Sequence, residues 1–367
     1  MTTSRTLLPL VSSTINTTLT SLRTSSVPPP SQQVDPTSTL SIRSDFLVLL
    51  SLISKQSTNY TLALKNPPEE KAVVQTLERF KDGVEKLGFL EELLRERPGE
   101  LDKRLRWSLI ESLESISSFL SLSTTYLPPN PTTISETHRK QLLSSCKTLW
   151  KVIETIEKDL PENELGAVRK SWKDVMGLLE DCETETRELI RNEPEEKEGE
   201  GEEDREEEDD QDEEGEDGPM SERAKSIISS SSTILKLSRL LINRLLALTA
   251  PTTKTNSPNT PLPAKFDSVP FLSNLTKLIK RFSEKADDLA GVLEEVEDGV
   301  EGEEAILVAT KNEVEEIVDV GEDVAREIEE ALEGDEDVER RGKVEGWFKV
   351  WRLQRDQAKK KLLEDLK

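Results

Sequence analysis

Clusters of proline divide this chain, and between them leucine, isoleucine and valine recur every third or fourth residue. That spacing places apolar side chains on one face of an α-helix. A proline cluster ends a helix, because the ring clashes with the preceding turn and has no N–H to donate. The first helix predicted in this way carries Leu8, Val11, Ile15, Leu19 and Leu22 and stops at Pro28, Pro29 and Pro30. Asp35 and Pro36 then supply an N-cap and a first-turn proline for a second helix. It runs to about Lys65 and buries Leu40, Leu47, Leu50 and Leu64.

A third helix covers roughly Glu69 to Arg97 with Val73, Leu77, Phe80, Val84, Leu87 and Leu94 inward, and Pro98-Gly99 stops it. The fourth places Leu101, Leu105, Leu109, Leu113, Ile116 and Leu120 in the core, and the fifth Leu142, Cys146, Leu149, Ile153 and Ile156. Pro161 opens a sixth, which reaches about Ile190 and contains Trp172. Short connections favour an up-and-down antiparallel bundle of these six. A seventh helix follows from Pro219 to about Thr249. The eighth has two heptad rows, Leu275-Phe282-Leu289-Val296 and Leu272-Ile279-Ala286-Leu293, which form a seam that a partner helix must cover. A ninth helix carries Val314, Ile317, Val324 and Ile328, and a tenth Val344, Trp347, Trp351, Leu362 and Leu366.

Charge is strongly segregated. Residues 193–217 hold 18 acidic and 2 basic side chains and no apolar residue except glycine and Pro194, so they cannot offset the entropy of folding. The expected fold class is therefore all-α: two antiparallel helical bundles, residues 1–192 and 219–367, joined by an acidic disordered linker over 193–218. Residues 284–339 are also strongly acidic, whereas residues 340–367 are basic. A chain of net charge −25 repels phosphates and anionic lipid, so proteins are the expected partners, with no direct nucleic acid and no membrane. The longest apolar stretch, Phe46 to Ile53, is too short to span a bilayer. Two cysteines, Cys146 and Cys182, fit a reducing compartment better than a disulfide framework.

Catalytic constellations fail on inventory. His138 is the only histidine, which leaves no His-His or His-Cys metal pair, and neither a Gly-rich phosphate cradle nor a G-x-S-x-G elbow occurs. No enzyme activity and no cofactor are expected. Of the five tryptophans, Trp150 and Trp172 fall on apolar helix faces and read as core. Trp347 and Trp351, four residues apart with Lys349, Arg352 and Arg355 around them, are compatible with an exposed partner-binding stripe, though a packed helix face is the favoured reading. Arg239-Leu240-Leu241-Ile242 matches a loose cyclin-docking pattern on an amphipathic helix whose leucines are expected to be buried. Ser257-Pro258 and Thr260-Pro261 are sites that a proline-directed kinase could reach.

The segment from Pro68-Glu69-Glu70-Lys71 through Leu93-Leu94, the turn Pro98-Gly99-Glu100-Leu101 and the following Lys103-Arg104-Leu105 resemble the N-terminal domain of the cyclin-D-binding protein family. Leu149-Trp150, Leu160-Pro161, the helix ending Glu180-Asp181-Cys182-Glu183, the acidic insertion and the helix from Ala224 to Leu246 follow in that family's order. The resemblance implies a two-bundle fold of the vinculin and catenin kind. It also implies residence in cytoplasm and nucleus, and a negative influence on cell-cycle progression and transcription through cyclin-like or helix-loop-helix partners. A histone-chaperone-like binder of basic proteins and a cytoskeletal or adhesion adaptor are the alternatives from other classes.

Overall fold

The structure, a computed structural model, describes residues 4–24, 36–64, 69–95, 97–126, 135–191, 221–250, 262–297, 303–333 and 335–367. The acidic segment 193–218, the Pro28–Pro30 cluster and the two Ser/Thr-Pro pairs lie outside these residues. Among the described residues the fold is all-α: α1 (Ser4–Thr24), α2 (Pro36–Ala63), α3 (Glu70–Leu94), α4 (Glu100–Tyr126), α5 (Glu136–Asp159), α6 (Glu164–Arg191), α7 (Glu222–Leu248), α8 (Val269–Glu297), α9 (Glu303–Leu332) and α10 (Val338–Asp365). No described helix is long and apolar enough to cross a membrane.

The chain forms two compact units. The first holds residues 1–168 and 267–273, the second 169–266 and 274–367. The expected division at residue 192 therefore falls a whole helix too late, because α6 belongs to the second unit from Arg169 onward. The reason is side-chain chemistry. Trp172 donates its indole N–H to Thr276 Oγ1 on α8 at 3.1 Å, and Arg169 donates to Leu246 O and Thr249 Oγ1 at the end of α7, both at 2.8 Å.

In the first unit the helices pack as a ring in the order α1, α3, α2, α5, α4. An odd ring needs one parallel pair, and α1 with α3 is that pair: Ser4 bonds Glu70, and Ser21 bonds Glu91. Thus α1 packs on α3 and α4, not chiefly on its sequence neighbour α2. Tyr60, Phe80 and Phe119 meet at the centre with ring centroids 5.9–6.3 Å apart, and burial pushes the Tyr60 phenol up to about 12. The Pro98-Gly99 turn is fixed by a close approach. Glu164, the first residue of α6, accepts the N–H groups of Glu100 (2.7 Å) and Leu101 (3.1 Å) and so caps α4. A Cβ on Gly99 would lie 2.7 Å from Asp102 Oδ2 and 2.9 Å from Glu164 Oε2, so only glycine leaves the cap undisturbed.

In the second unit α10 packs on α7 and α9 and α7 also meets α9, while side-chain bonds link α6 to α7 and to α8 and α8 to α9. Successive ion pairs run antiparallel from α8 to α9 and from α9 to α10. The α8 seam is covered as expected, with Leu272, Leu275, Ile279, Phe282, Ala286, Leu289 and Leu293 all buried; the side chain of Val296 lies outside the described residues. Most expected core positions elsewhere are also buried, with an exception in α2. Leu40 is exposed, and the inward face is instead Ile42, Phe46, Leu49, Leu50, Ile53 and Tyr60. Trp150, expected in the core, is 40% exposed and uses its indole N–H on Ser57 Oγ at 3.0 Å.

Candidate protein-interaction surfaces

The tenth helix does not present an exposed stripe. Val344, Phe348, Trp351, Arg355, Ala358 and Leu362 form its buried face, and Trp351 is only 3% exposed. Its indole N–H donates to the Leu237 carbonyl of α7 at 2.9 Å, which spends that group inside the fold. Trp347, half-buried, stacks on Trp351 with centroids 6.4 Å apart, and Arg244 of α7 covers it at 5.7 Å. Arg355 lies 5.0 Å over Trp351 and donates to Glu322 of α9 at 2.7 Å. The four residues are thus brought together, as part of the core and its ionic edge. Their apparent exposure in the sequence came from the cations interleaved with them, of which Arg352 and Arg355 are paired with glutamates of α9.

Arg352 holds the densest of these contacts. Its guanidinium donates to both carboxylate oxygens of Glu322 at 3.0 Å and to Glu329 at 2.8 and 2.9 Å. Burial alone would raise the Glu322 pKa, but the bonds from Arg352 and Arg355 outweigh it and hold the carboxyl below its ordinary value. A carboxylate depressed in the folded state contributes stability at neutral pH that is lost as pH falls through its folded value. Arg352→Lys, which keeps the charge and loses the planar fork, is expected to cost about 1 kcal/mol at neutral pH. It should also make the acid-induced loss of stability shallower. Urea unfolding of both proteins from neutral to acidic pH checks this, and parallel pH curves would count against the pairing.

A surface that the sequence reading left without a role lies in the first unit. Trp107 is the most exposed of the large apolar side chains, at 70%. It lines a groove of about 620 Å³ between α1 and α4, together with Leu22 and Ile110 as apolar lining and a mixed charged rim of Arg23, Lys103, Arg106, Glu111 and Glu114. Arg23 is ion-paired with Glu114, which ties the end of α1 to α4 at the groove's edge. The signal was available in the spacing: Trp107 falls midway between the core residues Leu105 and Leu109, so the helix carries it outward. An exposed tryptophan beside arginine is the residue pairing that anchors protein interfaces.

Other sequence motifs are absorbed by the fold. Leu241 and Ile242 of the cyclin-docking pattern are fully buried in α7 as expected and Arg239 pairs with Glu180 and Glu183, whereas Leu240, also expected to be buried, is exposed. His138 sits in the first turn of α5, where its backbone N–H is taken by the N-cap Ser135. Cys146 and Cys182 are buried free thiols, and burial pushes the Cys182 thiol up to about 11.

Comparison with known families gives two matches. Residues 45–192 match the model described as Grap2 and cyclin-D-interacting, N-terminal, which bears out the resemblance read from the turn at Pro98-Gly99 and its flanking helices. Residues 163–364, more than half of the 367, match a domain of unknown function, DUF8721. The two overlap on residues 163–192, which contain α6. A comparison with curated proteins returned no match. The chain therefore belongs to the family described as a domain of unknown function, DUF8721, and over residues 45–192 is similar to the Grap2 and cyclin-D-interacting amino-terminal model.

Proposed function

We propose that this chain is a non-catalytic protein-interaction protein that restrains cell-cycle progression and transcription by binding cyclin-like or helix-loop-helix partners, in cytoplasm and nucleus. The observation that carries the reading is the match of residues 45–192 to the Grap2 and cyclin-D-interacting family. The same segment contains Trp107, whose exposure beside an apolar groove with a charged rim suits it to anchor a protein partner. Capture of a D-type cyclin by the full chain is the test. Trp107→Ala is expected to weaken capture at least tenfold, about 1.4 kcal/mol of binding free energy or more. Failure of the unaltered chain to bind the cyclin rejects the partner; equal capture by both proteins rejects Trp107 as the anchor.

A further inference from the structure

Helices α7 and α10 run antiparallel, with Ser230 bonded to Asp365 at one end and Leu237 to Trp351 nearer the middle. Between them on the outer face is an open groove of about 540 Å³. Leu237 and Ala358 line it, with Lys236 and Leu240 on the α7 side and Gln357 and Lys361 on the α10 side. The small side chains of Ser230 and Ala358 make this line a groove where larger residues would fill it. From Ser230 to Leu240 it extends roughly 15 Å, about three turns of helix.

Its chemistry departs from the rest of the chain. The net charge is −25, yet no aspartate or glutamate lines the groove and a lysine stands on each side, both exposed. Every arginine that α10 turns toward α9 is matched by a glutamate there, whereas Lys236 and Lys361 have no ion-pair partner among the described residues. Apolar surface is present as well: Leu240 is 39% exposed, and Val350 and Leu353 of α10 are exposed by more than half.

We propose that the α7–α10 groove docks an amphipathic helix of a partner protein. That helix presents aliphatic residues at i, i+4 and i+7 to Leu237 and Leu240, with glutamates or aspartates on its flanks facing Lys236 and Lys361. Helix-in-groove recognition supplies affinity through the apolar ridge, and the two lysines select the sign of the flanks. A basic helix would face the lysines and, farther out, find no acid in the groove to meet it. The site lies outside residues 45–192 and so stands or falls separately from the cyclin reading.

The probe is a synthetic 16-residue helical peptide with leucines at i, i+4, i+7 and i+11 and glutamate flanks, compared with a lysine-flanked twin. Fluorescence anisotropy against the full chain is expected to show binding of the glutamate peptide only, weakened by salt. Leu240→Glu, at an exposed position, is expected to reduce affinity at least tenfold while leaving the thermal unfolding midpoint unchanged. The double variant Lys236→Glu, Lys361→Glu should reverse the preference toward the lysine peptide, a gain that misfolding cannot produce. Absence of binding by the glutamate peptide, or binding indifferent to both variants, overturns the proposal. So does lysine-dependent binding to phosphatidylserine vesicles without peptide binding, or sedimentation showing that the groove instead joins two copies of this chain.

Discussion

Trp351→Ala is expected to lower the stability of the protein by about 3–5 kcal/mol, the range for deleting a buried aromatic side chain. The indole is packed on several sides. Gly321 of α9 lies beneath it so closely that a Cβ there would sit 2.9 Å from Trp351 Cη2 and 3.1 Å from Phe282 Cζ. Arg355 covers the ring and Trp347 stacks on it. Alanine would leave a cavity between α7, α9 and α10, of which α9 and α10 are tied to each other by the Arg352–Glu329 and Arg355–Glu322 pairs. It would also strip the Leu237 carbonyl of its side-chain donor. Trp351→Phe separates these contributions, since it keeps most of the volume and loses the hydrogen bond, for about 1 kcal/mol. Urea unfolding followed by circular dichroism measures both. A loss below about 0.5 kcal/mol for the alanine variant, the size of an ordinary surface substitution, would restore the exposed-stripe reading.

The difference between that stripe and the buried cluster shows what the sequence does and does not disclose. Where a helix has one apolar and one polar face, the 3–4 spacing identifies the core residue by residue. In α3 and α4 every residue expected inward is buried, and in α5 all are except Trp150. The method fails where contrast is missing. Residues 46–53 of α2 are apolar nearly all round, so spacing could not place Leu40 outside or bring Ile42 and Ile53 inside. In α10 it was misled the other way, because charges beside the tryptophans resemble a solvated face.

Those charges were nevertheless legible as a pair of patterns. Glu315, Glu322 and Glu329 recur every seven residues on α9, and Arg352 and Lys359 are seven apart on α10. Two antiparallel helices in register bring Arg352 to Glu322 and Glu329, and Lys359 to Glu315. The segregation of acid in residues 284–339 and base in 340–367 is thus in part an internal complementarity. The assignment of α6 to the second unit was not legible in this way. Short connections indicate which helices could be neighbours, but the choice rests on pairings such as Trp172 with Thr276, 104 residues apart.

The second large effect is expected at Leu289 of α8. With its neighbours at heptad spacing, Phe282 and Leu293 among them, it is fully enclosed. Leu289→Ala removes several buried methylenes and leaves a cavity at a fully enclosed position, so the expected loss is about 2–5 kcal/mol. That is a large fraction of the stability of a typical domain, and at the upper end the variant would populate unfolded protein at ordinary temperatures. A seam of this kind could instead serve as a docking strip for a partner helix, in which case the alanine would reduce binding and leave the isolated chain intact. The covered state of every described seam residue favours the first outcome. Leu289→Met distinguishes loss of volume from loss of shape: it fills nearly the same space with a flexible chain and should cost less than about 1.5 kcal/mol. Thermal unfolding of the two variants without partner decides the matter, since a midpoint unchanged in Leu289→Ala would remove the seam from the core and make it a binding face.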